Sequence, residues 1–218
     1  MKVLCIIPAR YASTRLPGKP LRDIAGKPMI VRVYERAVRA KLVQDVVVAT
    51  DDERIRAAVE EYGGRAVMTR VDHATGTDRL AEVAEKMTDY DLIINVQGDE
   101  PLIDPAVIDA LVEPFLTDEQ LPMATAKTLL TDEEEITNPN NVKVITDLTG
   151  NALYFSRARI PYARNEGAKV YKHIGIYAYR RDFLLAYARM VQTPLELSES
   201  LEQLRALENG HRIRVIET

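Results

Sequence analysis

The chain has 218 residues, 46% of them apolar and 28% charged, with a formal net charge of −4. That length suits one α/β domain spanning residues 1–218, and that apolar fraction can close a full core. A net-negative chain lacks the basic face of a general nucleic-acid binder, and its N-terminal apolar run, interrupted by Arg10 and Arg15, is too short and too charged for a signal peptide or a membrane-spanning helix.

Strand and helix patterns alternate from the start. Val3–Ile7 reads as a buried strand. Its Cys5 is the one cysteine, expected to be a buried, inert thiol, and without a disulfide partner the chain suits a reducing cytoplasm. Pro28 opens a helix with Ile30, Val33, Tyr34, Ala37 and Val38 on its apolar face. Val46–Ala49 is a strand, Asp52 to Tyr62 a helix stopped by Gly63-Gly64, Ala66–Thr69 a short strand, and Thr77 to Met87 a helix. Leu92–Val96 is a continuous apolar run of the kind found in a central parallel strand. Asp104 is placed to cap the next helix, with Pro105 in its first position. This order predicts a doubly wound, mostly parallel sheet.

Beyond residue 120 the pattern changes. Val142–Thr146 and Ala152–Ser156 flank Asp147-Leu148-Thr149-Gly150-Asn151 and read as a β-hairpin. With the strand-like run Val170–Tyr179, they predict an antiparallel β extension at about 140–180, not a separate domain. Thr193-Pro194-Leu195-Glu196 has capping-box spacing before a helix running to about Glu208, and Ile213–Ile216 reads as a last strand.

The segment from Pro8 to Pro20 carries the strongest chemical signal. From Arg10 to Lys27 there are five basic residues and one acid, Asp23. A cationic, hydroxyl-bearing loop leaving a strand's carboxyl end suits a polyanion. Arg10, Ser13, Arg15 and Lys19 can surround a triphosphate while Gly18 lets the backbone approach. The loop is not a P-loop: Pro20 follows Lys19 where Ser or Thr is required. An ordinary solvated basic loop would share this composition.

Asp99 follows the Leu92–Val96 run, beside Glu100. A carboxylate there, facing a phosphate loop, suits Mg²⁺; the bland alternative is a polar turn before Pro101. Thr75-Gly76-Thr77 offers small side chains where a strand gives way to a helix, and Thr77 could simply cap that helix. His173 and Tyr177 share a strand face. By default His173 is a satisfied structural residue, Arg157 a surface cation, and Glu202 and Gln203 a solvated helix face.

Several of these runs resemble the 3-deoxy-manno-octulosonate (Kdo) cytidylyltransferase family. The likeness covers residues 6–33 and recurs at Asp72-His73-Ala74-Thr75-Gly76-Thr77-Asp78-Arg79-Leu80, Asn95-Val96-Gln97-Gly98-Asp99-Glu100-Pro101, Ala152 to Arg157, Lys172 to Tyr177, and Pro194 through Arg205. The resemblance implies CMP transfer from CTP to Kdo, in the cytoplasm, by an Mg²⁺-dependent homodimer. It implies triphosphate and leaving-group roles for Lys19 and Arg15, and Mg²⁺ at Asp99. Pro8, Ala9, Arg10 and Ser13 would join Thr75, Gly76 and Arg79 around the nucleotide. Gln97, Arg157, His173, Tyr177, Glu202 and Gln203 would line the sugar pocket. Alternatives are a cytidylyltransferase for sialic acid or 8-amino-Kdo, a nucleotide-sugar glycosyltransferase, and a catalytically weak nucleotide-binding regulator. Two departures from the family pattern stand out. The stretch between Pro161 and Lys172 is shorter than in many members, and the family's Val-Asp-Thr-Pro segment, with a second metal-binding Asp, does not occur before Thr218. A chain ending at Thr218 is expected to bind CTP and turn over slowly.

Overall fold

The computed structural model describes residues 1–12 and 16–218. Its strands are β1 (Val3–Ala9), β2 (Asp23–Ile24), β3 (Lys27–Pro28), β4 (Asp45–Thr50), β5 (Ala66–Met68), β6 (Leu92–Asn95), β7 (Met123–Leu130), β8 (Lys143–Thr146), β9 (Ala152–Ser156), β10 (Val170–Arg180) and β11 (Ile213–Glu217). Its helices are α1 (Met29–Ala37), α2 (Glu53–Glu61), α3 (Gly76–Lys86), α4 (Pro105–Thr117), α5 (Glu133–Thr137), α6 (Arg181–Tyr187), α7 (Pro194–Glu199) and α8 (Gln203–Glu208).

The main sheet runs β11-β7-β10-β6-β1-β4-β5, and β10 alone in that row is antiparallel to its neighbours. One face carries α1, α2 and α4, whose Ile30, Val33, Ile55, Val59, Ile108 and Leu111 pack on Val3, Cys5, Ile7, Val48 and Ile94. The other carries α3, α6, α7 and α8; Leu80, Leu184 and Leu204 from these helices, with Leu201 between α7 and α8, pack on Leu4, Ile6, Val47 and Ile93. Strand alternation divides β1 between these two layers, and burial pushes the Cys5 thiol up to about 12, which keeps it protonated and inert.

The expected α/β class holds, and three local expectations need correction. β10 is a core strand between β6 and β7, and only the β8–β9 hairpin hangs from it, through Lys172 opposite Lys143. β7, rich in small residues, was missed altogether. The helix expected from Thr193 to Glu208 is two short helices, because Ser200 turns left-handed at φ 52° and breaks it. Val38, assigned to the apolar face of α1, is exposed at 51%.

β10 also carries a two-residue bulge. Ile174 pairs with Ala126 and the next paired residue, Tyr177, with Thr125. Two extra residues preserve the side-chain alternation, so His173 and Tyr177 still share a face, with ring centroids 5.5 Å apart. The N-terminal half of β10 runs past the carboxyl end of β6, where Tyr177 pairs with Asn95.

Candidate active site at the carboxyl edge of the sheet

β1 and β6 leave the sheet side by side, and their exits are locked together. A Cβ at Gly98 would lie 2.7 Å from the Pro8 carbonyl oxygen, so no larger residue fits without moving backbone. The cavity there, of about 180 Å³, is lined by Pro8, Arg10, Lys19, Gln97, Gly98 and Asp99 among others, and includes Ala9. Lys19 sits at the start of a short 3₁₀ turn, Lys19–Leu21, whose preceding Gly18 adopts φ 70°. The Gly18 N–H donates to Tyr11 O at 2.9 Å, closing the base of the loop. The Tyr11 ring is held on its other flank by the Arg54 guanidinium, 3.4 Å from its centroid, and Arg54 is fixed by both oxygens of Asp52. Ser13 and Arg15 lie outside the described residues.

Lys19 Nζ donates to Asp99 Oδ2 at 2.6 Å across the cleft. Both side chains are partly exposed, so the pair contributes little to stability and is available to ligands. β6 ends at Asn95, and the Glu100 N–H donates to Gln97 O at 3.2 Å, so the segment turns instead of continuing as a strand. Strand alternation therefore does not separate Asp99 from Glu100. Desolvation and the neighbouring Asp99 push the Glu100 carboxyl above its usual range, against Lys172 and Lys19. Among the described residues no group of three or more His, Cys, Asp or Glu could enclose a metal. A single half-exposed carboxylate facing a cationic loop fits Mg²⁺, which takes few protein ligands and completes its shell from phosphates and water.

The first turn of α3 lies against the end of β1, with a Cβ at Gly76 placed 4.0 Å from Pro8. Thr75 caps it: its hydroxyl accepts from the Asp78 N–H at 3.1 Å, and Asp78 accepts from the Thr75 N–H at 2.8 Å. The cap is thus Thr75 and not Thr77. Pro8, Ala9, Arg10, Thr75 and Gly76 come together around the β1 exit. Arg79 does not join them. It is fully buried, its guanidinium donating to Thr69 and, at 3.1 Å, to Asp51, where it ties the β4 and β5 exits to α3.

Alongside, the α3/α6/α7/α8 face of β10 builds a polar wall. His173 is buried, its Nε2 paired with Thr125 Oγ1 at 2.8 Å, and burial drives its pKa down to about 3, so the ring is neutral. Tyr177 lies beside it, with Glu202 close enough to help raise its pKa. Glu202 accepts from Thr77 Oγ1 at 2.9 Å, and the Gln203 amide nitrogen is buried without a hydrogen bond among the described residues. Arg157 was expected to meet a substrate carboxylate. Its guanidinium instead donates to the carbonyls of Glu199 at 2.7 Å, Pro139 at 3.1 Å and Ser200 at 3.4 Å, fastening the end of α7.

Three participants escaped sequence reasoning. Asn95 is buried in β6 opposite Tyr177, its Oδ1 without a hydrogen bond among the described residues; an amide inside an apolar strand was the available signal. Lys143 is fully buried and donates to Asn138 O at 3.0 Å and Arg157 O at 2.6 Å, behind Arg157. Glu199 accepts from Ser156 Oγ at 2.6 Å and the Arg157 N–H at 2.9 Å. Neither residue carried a sequence signal.

A doubly wound sheet with an anion loop, an opposed carboxylate and a polar wall at one edge defines a nucleotide-handling transferase. Comparison with known proteins narrows the class. The profile of the cytidylyltransferase family matches residues 4–213. A 3-deoxy-manno-octulosonate cytidylyltransferase of Geobacter metallireducens is 56% identical over 100% of this chain and 90% of its own length. One from Fusobacterium nucleatum is 57% identical over 100% of this chain and 89% of its own. A solved CMP:2-keto-3-deoxy-manno-octonic acid synthetase, complexed with CTP, superposes with a TM-score of 0.97 at 50% identity, covering 100% of this chain and 90% of that one. The chain belongs to the cytidylyltransferase family and, within it, to the 3-deoxy-manno-octulosonate cytidylyltransferases.

Proposed function

We propose that this chain transfers CMP from CTP to the anomeric hydroxyl of Kdo, giving CMP-Kdo for lipopolysaccharide synthesis. The observation that carries the proposal is the Lys19–Asp99 pair facing across the locked β1 and β6 exits, in a chain more than half identical to enzymes named for this reaction. The sugar oxygen forms a bond to the α-phosphorus, the bond from that phosphorus to the bridging oxygen breaks, and pyrophosphate leaves with the electron pair. The hydroxyl proton passes to solvent. Such chemistry rests on positioning and charge stabilisation.

In this reading Lys19 exchanges Asp99 for the triphosphate and stabilises the departing pyrophosphate, with Arg15 assigned the same task from its place in the sequence. Pro8, Ala9, Arg10, Ser13, Thr75 and Gly76 hold the nucleotide. Gln97, His173, Tyr177, Glu202 and Gln203 hold the sugar. Arg157 organises that pocket through the α7 carbonyls, and Arg79 braces the nucleotide side from within the core. Mg²⁺ held by Asp99 would supply Lewis-acid neutralisation of phosphate charge and lower the pKa of the attacking hydroxyl.

The homodimer is part of the proposal. The β8–β9 hairpin leaves Leu148 and Leu153 exposed, and Tyr162 beyond it is 87% exposed. Sedimentation equilibrium of the wild-type chain tests it. Cytoplasmic residence is proposed from the single buried thiol and the family's substrates; no helix among the described residues is long and apolar enough to cross a membrane.

The decisive assay is pyrophosphate release with CTP, Mg²⁺ and a panel of Kdo, 8-amino-Kdo and sialic acid. Release with Kdo above the others supports the proposal. Preference for another sugar transfers the function to that sugar, and release with none leaves a nucleotide-binding regulator. A glycosyltransferase is disfavoured because Gly98-Asp99-Glu100 stands where an Asp-x-Asp metal motif would be needed.

A further inference from the structure

Thr77 is buried in the first turn of α3, 125 residues from its partner in sequence, and its hydroxyl donates to Glu202 Oε2 at 2.9 Å. A threonine at a helix start usually serves the helix itself. Here Thr75 already supplies the cap, closed reciprocally by Asp78. The Thr77 hydroxyl is thereby released from local duty and reaches across to the segment joining α7 and α8.

Glu202 is an odd occupant of its position. Its Oε1 is buried and makes no hydrogen bond among the described residues, lying 3.6 Å from Arg205 Nη2, while the Arg205 guanidinium donates through Nε and Nη2 to the two oxygens of Glu196. A carboxylate can accept about four hydrogen bonds. Among the described residues this one accepts one, while Tyr187 OH donates to its backbone carbonyl at 2.6 Å. Unmet acceptor capacity at a partly buried carboxylate costs free energy unless a donor arrives. The cavity beside it, of about 260 Å³, is lined by Thr75, Gln192, Ser200 and Leu201 as well as Glu202. Leu197 also lines it, so the space is mixed, and a polyhydroxylated ligand suits it, with hydroxyls for the carboxylate and C–H faces for the leucines.

We propose that Thr77 is a positioning residue for sugar recognition: its hydroxyl orients the Glu202 carboxylate so that the remaining acceptor sites face the hydroxyls of a polyhydroxylated substrate. The inference rests on the sugar-transfer reading above and deepens it. It makes the α3 turn two-sided. Thr75 and Gly76 look to the nucleotide at the β1 exit, while Thr77, one helical step further, sets an acceptor for the second substrate.

The electrostatic setting makes Thr77 more than a spacer. The ionised form of Glu202 is opposed by burial, by Glu196 of α7 and by Asp78 of α3. It is favoured by the Thr77 hydroxyl and by Arg205 of α8. Tyr177 and Tyr179 of β10 and Tyr187 of α6 face it as uncharged groups, their own ionisation suppressed. Burial is the largest influence and raises the carboxyl pKa; the Thr77 hydrogen bond is the largest of those lowering it. Removing that donor therefore raises the pKa further, and the protonated fraction grows at any pH on the acid side.

Two variants separate positioning from folding. Thr77→Val keeps the shape and removes the hydroxyl; Thr77→Ser restores a hydroxyl without the methyl. With CTP and Kdo, Thr77→Val is expected to raise the KM for the sugar about tenfold and leave that for CTP within twofold. The acid limb of kcat/KM for the sugar should move to higher pH. Thr77→Ser is expected to restore both. A second readout needs no turnover: the ¹³C-carboxyl resonance of Glu202, assigned with Glu202→Gln, should titrate at higher pH in Thr77→Val than in the wild type. An unchanged Glu202 titration overturns the proposal even in an active enzyme. Equal rises in both KM values, or no rescue by serine, overturn it as well. A shifted titration in a protein that is inactive with every sugar upholds the positioning of Glu202 and removes the sugar-transfer reading alone.

Discussion

Lys19 Nζ sits 2.6 Å from Asp99 Oδ2, though the two residues lie 80 positions apart in the chain. The cleft thus neutralises itself, pairing a cation from the β1 exit with a carboxylate from the β6 exit. The proposed function has substrate binding separate them, and exposure of 40% and 50% for the two side chains keeps the separation inexpensive.

Lys19→Ala is expected to lower turnover by roughly 10²-fold, the effect of removing one preorganised charge-stabilising group. Thermal unfolding should be nearly unchanged, because an exposed ion pair contributes about 0–1 kcal/mol. Wild-type turnover in the purified variant would remove Lys19 from the phosphate clamp.

Asp99→Asn keeps the shape and deletes the charge. Activity should fall at least as far, and the Mg²⁺ concentration giving half-maximal pyrophosphate release should rise. A structure with CTP and Mg²⁺ in which Asp99 is more than one water from every metal ion would contradict the assignment.

Gly98→Ala is a backbone test. The added methyl would meet the Pro8 carbonyl at 2.7 Å. The expected outcome is destabilisation of about 1–3 kcal/mol in denaturant unfolding, typical of overpacking, with a larger loss of activity because Asp99 moves with the loop. Full activity at reduced stability would show that the two strand exits need no fixed spacing.

His173 gives stability a pH dependence of known sign. Its folded pKa, about 3, lies below the unfolded value near 6.5, so between those limits the unfolded chain binds the extra proton. Its neutral burial is therefore fully tolerated above about pH 6.5, and stability declines below that by up to about 1.4 kcal/mol per pH unit. His173→Gln should flatten this slope between pH 4 and 6.5 in urea unfolding. An unchanged slope would mean that other groups govern acid sensitivity. The neutral ring also predicts no His173 limb in the activity profile between pH 5 and 8.

Local chemistry made much of this fold legible. The Leu92 run, the Asp104-Pro105 helix start and the Gly63-Gly64 stop each signal through residues adjacent in the chain, and all three stand in the structure. What stayed hidden depends on distant partners. Nothing within Val170–Tyr179 says that it inserts between β6 and β7, because strand order is decided by pairing energies across the whole sheet. The break at Ser200 leaves no trace in a helical pattern, since neighbouring contacts from Arg157 help hold it. At the site, Lys19 and Asp99 were readable from a cationic loop and a strand-end acid. Arg79 and Arg157 were not, because a guanidinium committed to the interior and one offered to a ligand look alike in one dimension.

In the proposed function, the placement of β10 limits how the acceptor wall can change. His173 and Tyr177 belong to a strand hydrogen-bonded on both sides, and one of those neighbours, β6, leads directly to Asp99. Altering that wall disturbs the same sheet that positions Asp99. The α7–α8 segment, by contrast, crosses the pocket as short helices joined at a bend, outside the strand ladder. In that reading, residues 193–208 can change without breaking a strand ladder, whereas the β10 wall cannot be altered apart from the edge that carries Asp99.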